Sequence, residues 1–258
     1  IDRTIDVDDG SITVAEFSPK TIQPGCPAVV YFHGGGHSSM SIESCRSLCE
    51  YFAKEFNAKV FAVDYRLAPE HKFPTQLNDG NAAFDWVLAN ASELEIDPNR
   101  ISVAGDSAGG NLTAALCLKR RDTGAVLPKA QMMVYPFTDY TLSYPSMDEL
   151  GEGHIITKKH LEWFRSNFLP DEAMVKDPYV SPLFAPDLSG LPPAVVITAG
   201  FDLLRDEAKA YADRLSEAGV ETQYKEFSSD GHGFMYADTT ASVRAANANI
   251  VAMFKPLL

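Results

Sequence analysis

Residues 105–109 constrain the fold of this chain more strongly than any other segment. They read Gly-Asp-Ser-Ala-Gly, follow a short β-forming run (101–104) and precede a helical pattern (108–121). A serine between two glycines at a strand-to-helix turn is typical of a nucleophile elbow, where a tight turn projects the hydroxyl above a sheet. The five-residue pattern alone also occurs by chance. The flanking strand and helix favour the functional interpretation, so we predict that Ser107 is a nucleophile.

The rest of the chain alternates between short apolar runs and amphipathic segments. Several of the apolar runs are rich in Val, Ile, Ala and Phe, which is typical of parallel strands covered on both faces. This alternation predicts a single α/β domain over residues 1–258, with a mostly parallel central sheet flanked by helices and a first strand that pairs antiparallel at the edge. The predicted strands are 12–17, 28–32, 60–65, 101–104, 131–135, 195–199 and 222–227, and the predicted helices are 44–56, 76–89, 108–121, 158–168, 206–217 and 239–254.

One region, residues 137–183, breaks this alternation. It runs through a long loop, a helix and a return rich in proline and aspartate. Long excursions after the carboxyl end of a strand tend to build lids and pockets over a site. We therefore expect a cap-like segment here.

Charge and cysteine content narrow the range of partners and compartments. The chain carries 22 basic and 35 acidic residues, a net charge of -13, which disfavours binding to nucleic acid or to anionic membranes. An acidic surface that serves solubility alone is the open alternative. No apolar run is long enough to span a membrane, so we expect no stable membrane insertion. The four cysteines lack zinc-site spacing, and we expect reduced thiols in a cytoplasmic protein.

A glycine-rich loop follows the second predicted strand. His33, Gly34, Gly35 and Gly36 expose backbone N–H groups without side chains in the way, so the loop could cradle a phosphate or stabilise a tetrahedral oxyanion. Its place before the nucleophile favours the second role. The candidate donors are the amides of Gly34, Gly35 and Ala108, the last at the start of the helix that follows the serine. We expect His33 to be a structural hydrogen-bonding residue.

Six histidines compete for the role of general base. In hydrolases with this type of elbow, the chain order is serine, acid, histidine. His154, His160 and His232 follow the serine, but the first two fall in the cap-like segment before any good acid. His232 lies after the last predicted strand, between two glycines that let the loop carry the ring into a site. We therefore predict that His232 is the base.

The acid should lie at the end of the strand before that histidine. Asp202 follows the predicted strand 195–199 closely, at its carboxyl end. Asp206, Glu207 and Asp213 come later on a helix face, and Asp230 is very near the histidine in sequence. We predict that Asp202 holds the imidazole tautomer and stabilises the imidazolium.

Together these segments resemble the hormone-sensitive-lipase-like family of α/β-hydrolases. The resemblance rests on HGGG at 33–36, DYRLAPEH at 64–71, FP at 73–74, GDSAGG at 105–110, DLLRDE at 202–207 and GHGF at 231–234. It implies the α/β-hydrolase fold and an esterase of carboxylic esters that needs no metal and no organic cofactor. It also implies the triad Ser107, Asp202 and His232, with the amides of Gly34, Gly35 and Ala108 as oxyanion hole.

The resemblance extends to accessory segments. The block 64–74 is expected to shape a turn beside the nucleophile loop, with an ion pair between Arg66 and Glu70. Residues 152–154 and 163–164 look like the mobile cap of the family. Family likeness further implies a homodimer through the edge strand near 222–227, although an edge strand can be covered instead. The apolar candidates for an acyl pocket, each of which could equally belong to the core, are Phe137, Ile155, Ile156, Trp163 and Phe164.

One departure from the family concerns its N-terminal helices, which usually form half of the cap. Here the first predicted strand begins at residue 12, so we expect the usual N-terminal cap helices to be absent. Either the protein has a reduced cap, or the sequence is a truncated or processed form. A thinner cap suggests a more open pocket.

The sequence therefore predicts a serine carboxylesterase that acts on short-chain esters through an acyl-enzyme. Two alternatives use the same site: an amide hydrolase, and an arylformamide or lactone hydrolase. A third is a non-catalytic small-molecule receptor, since plant gibberellin receptors resemble this family but lack the working histidine. The presence of His232 argues against the receptor.

Overall fold

Eight strands form one sheet in the order β1-β2-β4-β3-β5-β6-β7-β8 in the computed structural model, which describes residues 1–237 and 240–258. β1 pairs antiparallel with β2, and β2 with β4, whereas all the other neighbours are parallel. The mostly parallel sheet is confirmed. The strands are β1 (Asp2–Val7), β2 (Gly10–Phe17), β3 (Cys26–Phe32), β4 (Lys59–Asp64), β5 (Ile96–Asp106), β6 (Gln131–Val134), β7 (Ala194–Phe201) and β8 (Thr222–Gly231).

Helices cover both faces of this sheet, which gives three layers. One hydrophobic core lies between the sheet and helices α2, α3 and α6, and a second lies between the sheet and helices α1 and α7. Alternate residues of β3 show the division, because Val30 and Phe32 enter the first core while Val29 and Tyr31 enter the second. The helices are α1 (Ile42–Phe56), α2 (Thr75–Ala89), α3 (Ala108–Thr123), α4 (Ser146–Glu149), α5 (Lys158–Phe168), α6 (Arg205–Glu217) and α7 (Ala241–Phe254).

The edge of the sheet differs from the prediction. The predicted first strand, 12–17, is part of β2, which lies one position inside the edge, and the edge itself is β1. β1 was not predicted because it is mostly polar and half-exposed, with Ile5 as its buried residue. A turn through Asp8 and Asp9 connects the two strands, and Asp9 adopts a left-handed φ of 62°.

The predicted ion pair between Arg66 and Glu70 is wrong. The guanidinium of Arg66 instead donates to both carboxylate oxygens of Asp79 in α2, at 3.0 and 2.7 Å, and the Arg66 backbone N–H donates to the same carboxylate. Asp79 is fully buried while Glu70 is exposed. A buried carboxylate needs a cation and hydrogen bonds more than an exposed one does, and this determines which acid is paired.

Each of the other predicted strands and helices overlaps one in the structure, and most of their ends agree to within a few residues. The predicted helix 239–254 matches α7, although its first predicted residue, Thr239, lies outside the described residues. The short helix α4 was not predicted. All four cysteines are free and buried. Within residues 1–237 and 240–258, no helix has both the length and the apolar character needed to cross a lipid bilayer.

Candidate active site

The turn between β5 and α3 holds Ser107 in an unusual backbone conformation. Its φ is 54° and its ψ is -119°, a combination that residues with a Cβ rarely adopt. Hydrogen bonds hold the strained turn: the Ser107 N–H donates to the carbonyl of Val134 at 2.9 Å, and its carbonyl accepts from the N–H groups of Asn111 and Phe137. The strain projects the side chain above the carboxyl edge of the sheet, as a nucleophile elbow requires.

Gly105 and Gly109 leave room for main chain that passes close to the turn. A Cβ on Gly109 would collide with the carbonyl oxygen of Phe32 at the end of β3, and one on Gly105 would collide with the carbonyl of Gly109. Neither position can accept a side chain without moving main chain. The close approach of β3, β5 and α3 at this point therefore depends on both glycines.

The side chains of Ser107, His232 and Asp202 form a chain of two hydrogen-bonding contacts. The Nε2 of His232 is 2.9 Å from the Ser107 hydroxyl oxygen, and its Nδ1 is 2.7 Å from Oδ2 of Asp202. Asp202 follows β7 and is 1% exposed, and its other oxygen accepts the backbone N–H of Leu204 at 3.0 Å. With the proton on Nδ1 held by the carboxylate, Nε2 is free to accept the serine proton.

A buried tyrosine supports the imidazole from beside β6. The ring of Tyr135 lies 4.6 Å from that of His232, and Phe234 packs edge-on against the same tyrosine. Tyr135 adopts a left-handed φ of 37° directly after β6. Nothing in the local sequence motif marks Tyr135 as a site residue; its place at the end of a central strand was the available signal.

The glycine loop lies beside the serine, as expected from its place after β3. An added Cβ on Gly34 would be 3.3 Å from the Ser107 Cβ, which places this part of the loop next to the hydroxyl. Gly35 has a φ of 103°, which favours glycine, and its carbonyl accepts the N–H groups of Ser38 and Ser39. His33 is buried with its Nδ1 2.7 Å from the Gly34 carbonyl, consistent with the predicted structural role.

A second buried carboxylate, Asp106, stands immediately before the nucleophile and was missed. Its Oδ1 accepts the hydroxyl protons of Tyr31 at 2.7 Å and Tyr236 at 2.8 Å. Burial raises the pKa of Asp106, and the two tyrosine hydrogen bonds, the charge of His232 and the backbone N–H of Gly34 act in the opposite direction. An acidic residue inside a motif that must be buried was the available signal.

The candidate acyl-pocket residues divide between core and surface. Phe137 is fully buried, whereas Ile155 and Trp163 are 75% and 54% exposed. Phe164 lies on the cap-segment helix α5. It packs against the glycine loop 33–36, called the oxyanion loop below, so closely that a Cβ on Gly36 would overlap its ring. Phe164 therefore contacts the loop that carries two of the predicted donors. His154 and His160 are exposed and lie outside the triad.

The geometry defines a class of protein. In serine hydrolases an imidazole takes the proton of a strained serine as it attacks, while a buried carboxylate orients the ring and nearby amides face the developing charge. Ser107, His232 and Asp202 satisfy the distances that this chemistry requires, on a mostly parallel α/β sheet.

Comparison with known proteins agrees with this class. A family described as "alpha/beta hydrolase fold" matches residues 29–236. The carboxylic ester hydrolase LipN of Mycobacterium tuberculosis is 38% identical over 257 residues, which cover 95% of this chain and 68% of that protein. An arylesterase of Saccharolobus solfataricus is 37% identical over 258 residues, covering 99% of this chain and 83% of that protein.

Solved structures give the same result. The thermostable carboxylesterase EstE1, cloned from a metagenomic library, superposes with a TM-score of 0.96 at 39% identity, covering 100% of this chain and 88% of that one. A hyperthermophilic esterase from Pyrobaculum calidifontis has the same TM-score and identity, covering 100% of this chain and 85% of that one. The chain is a serine hydrolase. It belongs to the hormone-sensitive-lipase-like family of α/β-hydrolases.

Proposed function

We propose that this chain is a carboxylesterase that hydrolyses short-chain esters through an acyl-enzyme formed on Ser107. The observation that carries the proposal is the 2.9 Å contact between the Ser107 hydroxyl and His232 Nε2, with Asp202 on the other ring nitrogen. The relatives are named carboxylic ester hydrolase, arylesterase and carboxylesterase, and these names support the same substrate class.

Acylation follows from the geometry. As the Ser107 oxygen attacks the ester carbonyl carbon, its proton passes to Nε2 of His232, and the resulting imidazolium is stabilised by the Asp202 carboxylate. The tetrahedral intermediate then collapses: the carbon–oxygen bond to the alcohol breaks, and His232 returns the proton to the leaving oxygen. The acyl group remains on Ser107 as an ester.

Deacylation repeats the same steps with water. His232 takes a proton from water as the water oxygen attacks the acyl carbon, and the second tetrahedral intermediate expels the Ser107 oxygen. The imidazolium returns its proton to that oxygen, and the carboxylic acid leaves. Each cycle returns Ser107 and His232 to their starting protonation states, consumes one water and releases the acyl group as the acid.

The oxyanion would be stabilised by backbone amides at the start of α3 and in the glycine loop. Ala108 is the first residue of α3, so its N–H is one that the helix itself leaves unpaired. The Gly35 and Ala108 amides are the direct donors in this proposal. The Gly34 amide, assigned with them from the sequence, faces the Asp106 carboxylate and would act by fixing the loop. Loss of one direct donor costs about 3–4 kcal/mol in the transition state.

The preference for short acyl chains is supported by the cap-like segment 137–183. Its helix α5 places the Phe164 ring against Gly36, and the next turn stacks Phe168 on His37 at a ring distance of 4.1 Å. These contacts fix the segment to the oxyanion loop, which limits the room beside the reacting carbonyl. We propose that the segment serves as the cap.

A series of p-nitrophenyl esters from acetate to palmitate tests the proposal. We expect the highest kcat/KM at short chains, because the packed ring of Phe164 restricts the site. An optimum at palmitate would contradict the proposed cap, and no hydrolysis of any member would contradict the esterase function. A matched anilide should react far more slowly than its ester; comparable rates would favour the amide-hydrolase alternative.

Two further proposals concern the state of the protein in the cell. β8 lies at one edge of the sheet with β7 as its strand neighbour, and none of its residues is fully buried, which supports a homodimer through β8. Light scattering of the purified protein tests it; a monomer at micromolar concentration would contradict it.

The four free cysteines support a cytoplasmic location, and cell fractionation would test it.

A further inference from the structure

The carboxylate of Asp106 connects three segments that must meet for catalysis. It lies at the end of β5, directly before the nucleophile, and is 2% exposed. Its Oδ1 accepts from Tyr31 of β3 and from Tyr236 of the turn that follows His232. Its Oδ2 lies 2.7 Å from the position that a Gly34 Cβ would occupy in the oxyanion loop. One side chain thus contacts both other parts of the site.

The donors around Asp106 are neutral, which is unusual for a buried carboxylate. Among the described residues, no lysine or arginine forms an ion pair with it, although buried charges are ordinarily paired. The cation formed nearby is His232 itself, whose charge favours the ionised carboxylate. The titratable side chains that hydrogen-bond to it are Tyr31 and Tyr236.

The cost of burying Asp106 points to a role beyond stability. A buried carboxylate without a permanent cation destabilises the fold unless its hydrogen bonds compensate. Here the two side-chain partners come from β3, which leads into the oxyanion loop, and from the turn after the base. An apolar residue of similar size would fill the space but would leave the Gly34 amide and the Tyr236 hydroxyl without this acceptor.

We propose that Asp106 is a positioning residue that fixes the oxyanion loop and the His232 turn relative to Ser107. The inference rests on the proposed esterase function. Asp106 does not touch the reacting atoms, so its effect passes through Gly34, Tyr236 and His232. It acts mainly on the transition state, where the amides and the imidazolium are in use.

The test is Asp106→Asn. The amide oxygen can still accept from the tyrosines, but the NH2 group now faces the Gly34 amide, donor against donor. We expect kcat for p-nitrophenyl acetate to fall about 10²-fold, with KM changed less than about threefold, since small displacements in a site cost this much.

Asp79→Asn is the matched control, because it removes another buried carboxylate, which pairs with Arg66 and hydrogen-bonds to none of Ser107, Asp202 and His232. It should lower thermal stability and leave kcat of the folded protein unchanged. If Asp106→Asn does not fold, Tyr236→Phe decides: it removes one hydroxyl, and we expect kcat to fall about tenfold with an unchanged KM.

The outcomes separate this inference from the proposed function. Wild-type protein without ester hydrolysis would overturn the function itself. Active wild type, with a folded Asp106→Asn variant that keeps the wild-type kcat, would overturn the positioning role alone. A Tyr236→Phe variant with wild-type kcat would do the same where Asp106→Asn cannot be purified.

Discussion

The Nε2 of His232 lies 2.9 Å from the hydroxyl oxygen of Ser107, although the two residues are 125 positions apart in sequence. Both follow strands of the parallel part of the sheet, β8 and β5, whose carboxyl ends point to the same edge. Asp202 follows β7 at that edge as well. The topology of the sheet therefore brings together three side chains that no local segment could assemble.

Replacement of Asp202 by asparagine tests the role of the buried acid. The amide would favour the wrong imidazole tautomer, with the proton on Nε2, so the ring could no longer accept from Ser107. We expect kcat to fall on the order of 10³- to 10⁴-fold with the fold intact, measured by steady-state kinetics and a thermal melt. Asp230→Asn is the control, since Asp230 was the rejected acid candidate. Loss of activity in the control with a functional Asp202→Asn variant would reverse the assignment.

His37 should set how the fold responds to acid. Burial lowers the pKa of His37 from 6.5 to about 3, so the folded protein keeps this ring neutral where the unfolded chain binds a proton. The free energy of unfolding therefore carries no penalty from His37 above about pH 6.5. It falls as the pH drops from there towards 3, by up to about 5 kcal/mol from this one residue.

The matching variant is His37→Asn, because asparagine tolerates the left-handed φ of 57° at this position. We expect urea unfolding between pH 7 and pH 4 to show a shallower loss of stability than in wild type, even though the stack on Phe168 is gone. An equal slope in the two proteins would show that His37 takes up its proton in the folded state.

Glu207 should make the fold less stable as the pH rises. It is fully buried in α6, where its Oε1 accepts the backbone N–H groups of Thr138 and Asp139 at 2.6 and 3.0 Å. Burial raises the pKa of Glu207 well above 4.5, with a further rise from the Asp139 charge. The folded state thus holds a proton that the unfolded chain releases, and stability falls as pH rises above about 4.5.

Glu207→Gln keeps the acceptor oxygen and removes the titration. We expect the variant to lose less stability than wild type between pH 5 and pH 8, by about 1.4 kcal/mol for each unit of the pKa rise. Chemical denaturation at three pH values measures it. A variant that tracks wild type across this range would mean that Glu207 ionises without cost in the folded protein.

Much of the fold, and the approach of Ser107, Asp202 and His232 to one another, could be predicted because the signals are local and ordered. The glycines around Ser107 and His232, and the apolar strand runs before them, place each residue at the same edge of a parallel sheet. β1 escaped prediction because an edge strand with one buried residue carries little apolar pattern. The Asp-Gly pair at positions 9 and 10 was its available signal.

Tertiary pairing was less accessible to sequence reasoning. Arg66 has an acid four positions away, yet it binds Asp79, because packing of α2 buries that carboxylate beside it. Asp106 likewise gains its meaning from Tyr31 and Tyr236, which come from opposite ends of the chain. Such partners depend on which helix covers which strand, and periodicity does not contain that information.

The most direct test of the account is intact-protein mass spectrometry after treatment with a fluorophosphonate. The Ser107 oxygen should attack phosphorus and expel fluoride, so wild type should gain one phosphonyl group, mapped to Ser107, as esterase activity disappears. Ser107→Ala, with an unchanged thermal melt, should neither gain the mass nor hydrolyse p-nitrophenyl acetate above background. A phosphonyl group on another residue, together with full hydrolysis by Ser107→Ala, would contradict the account.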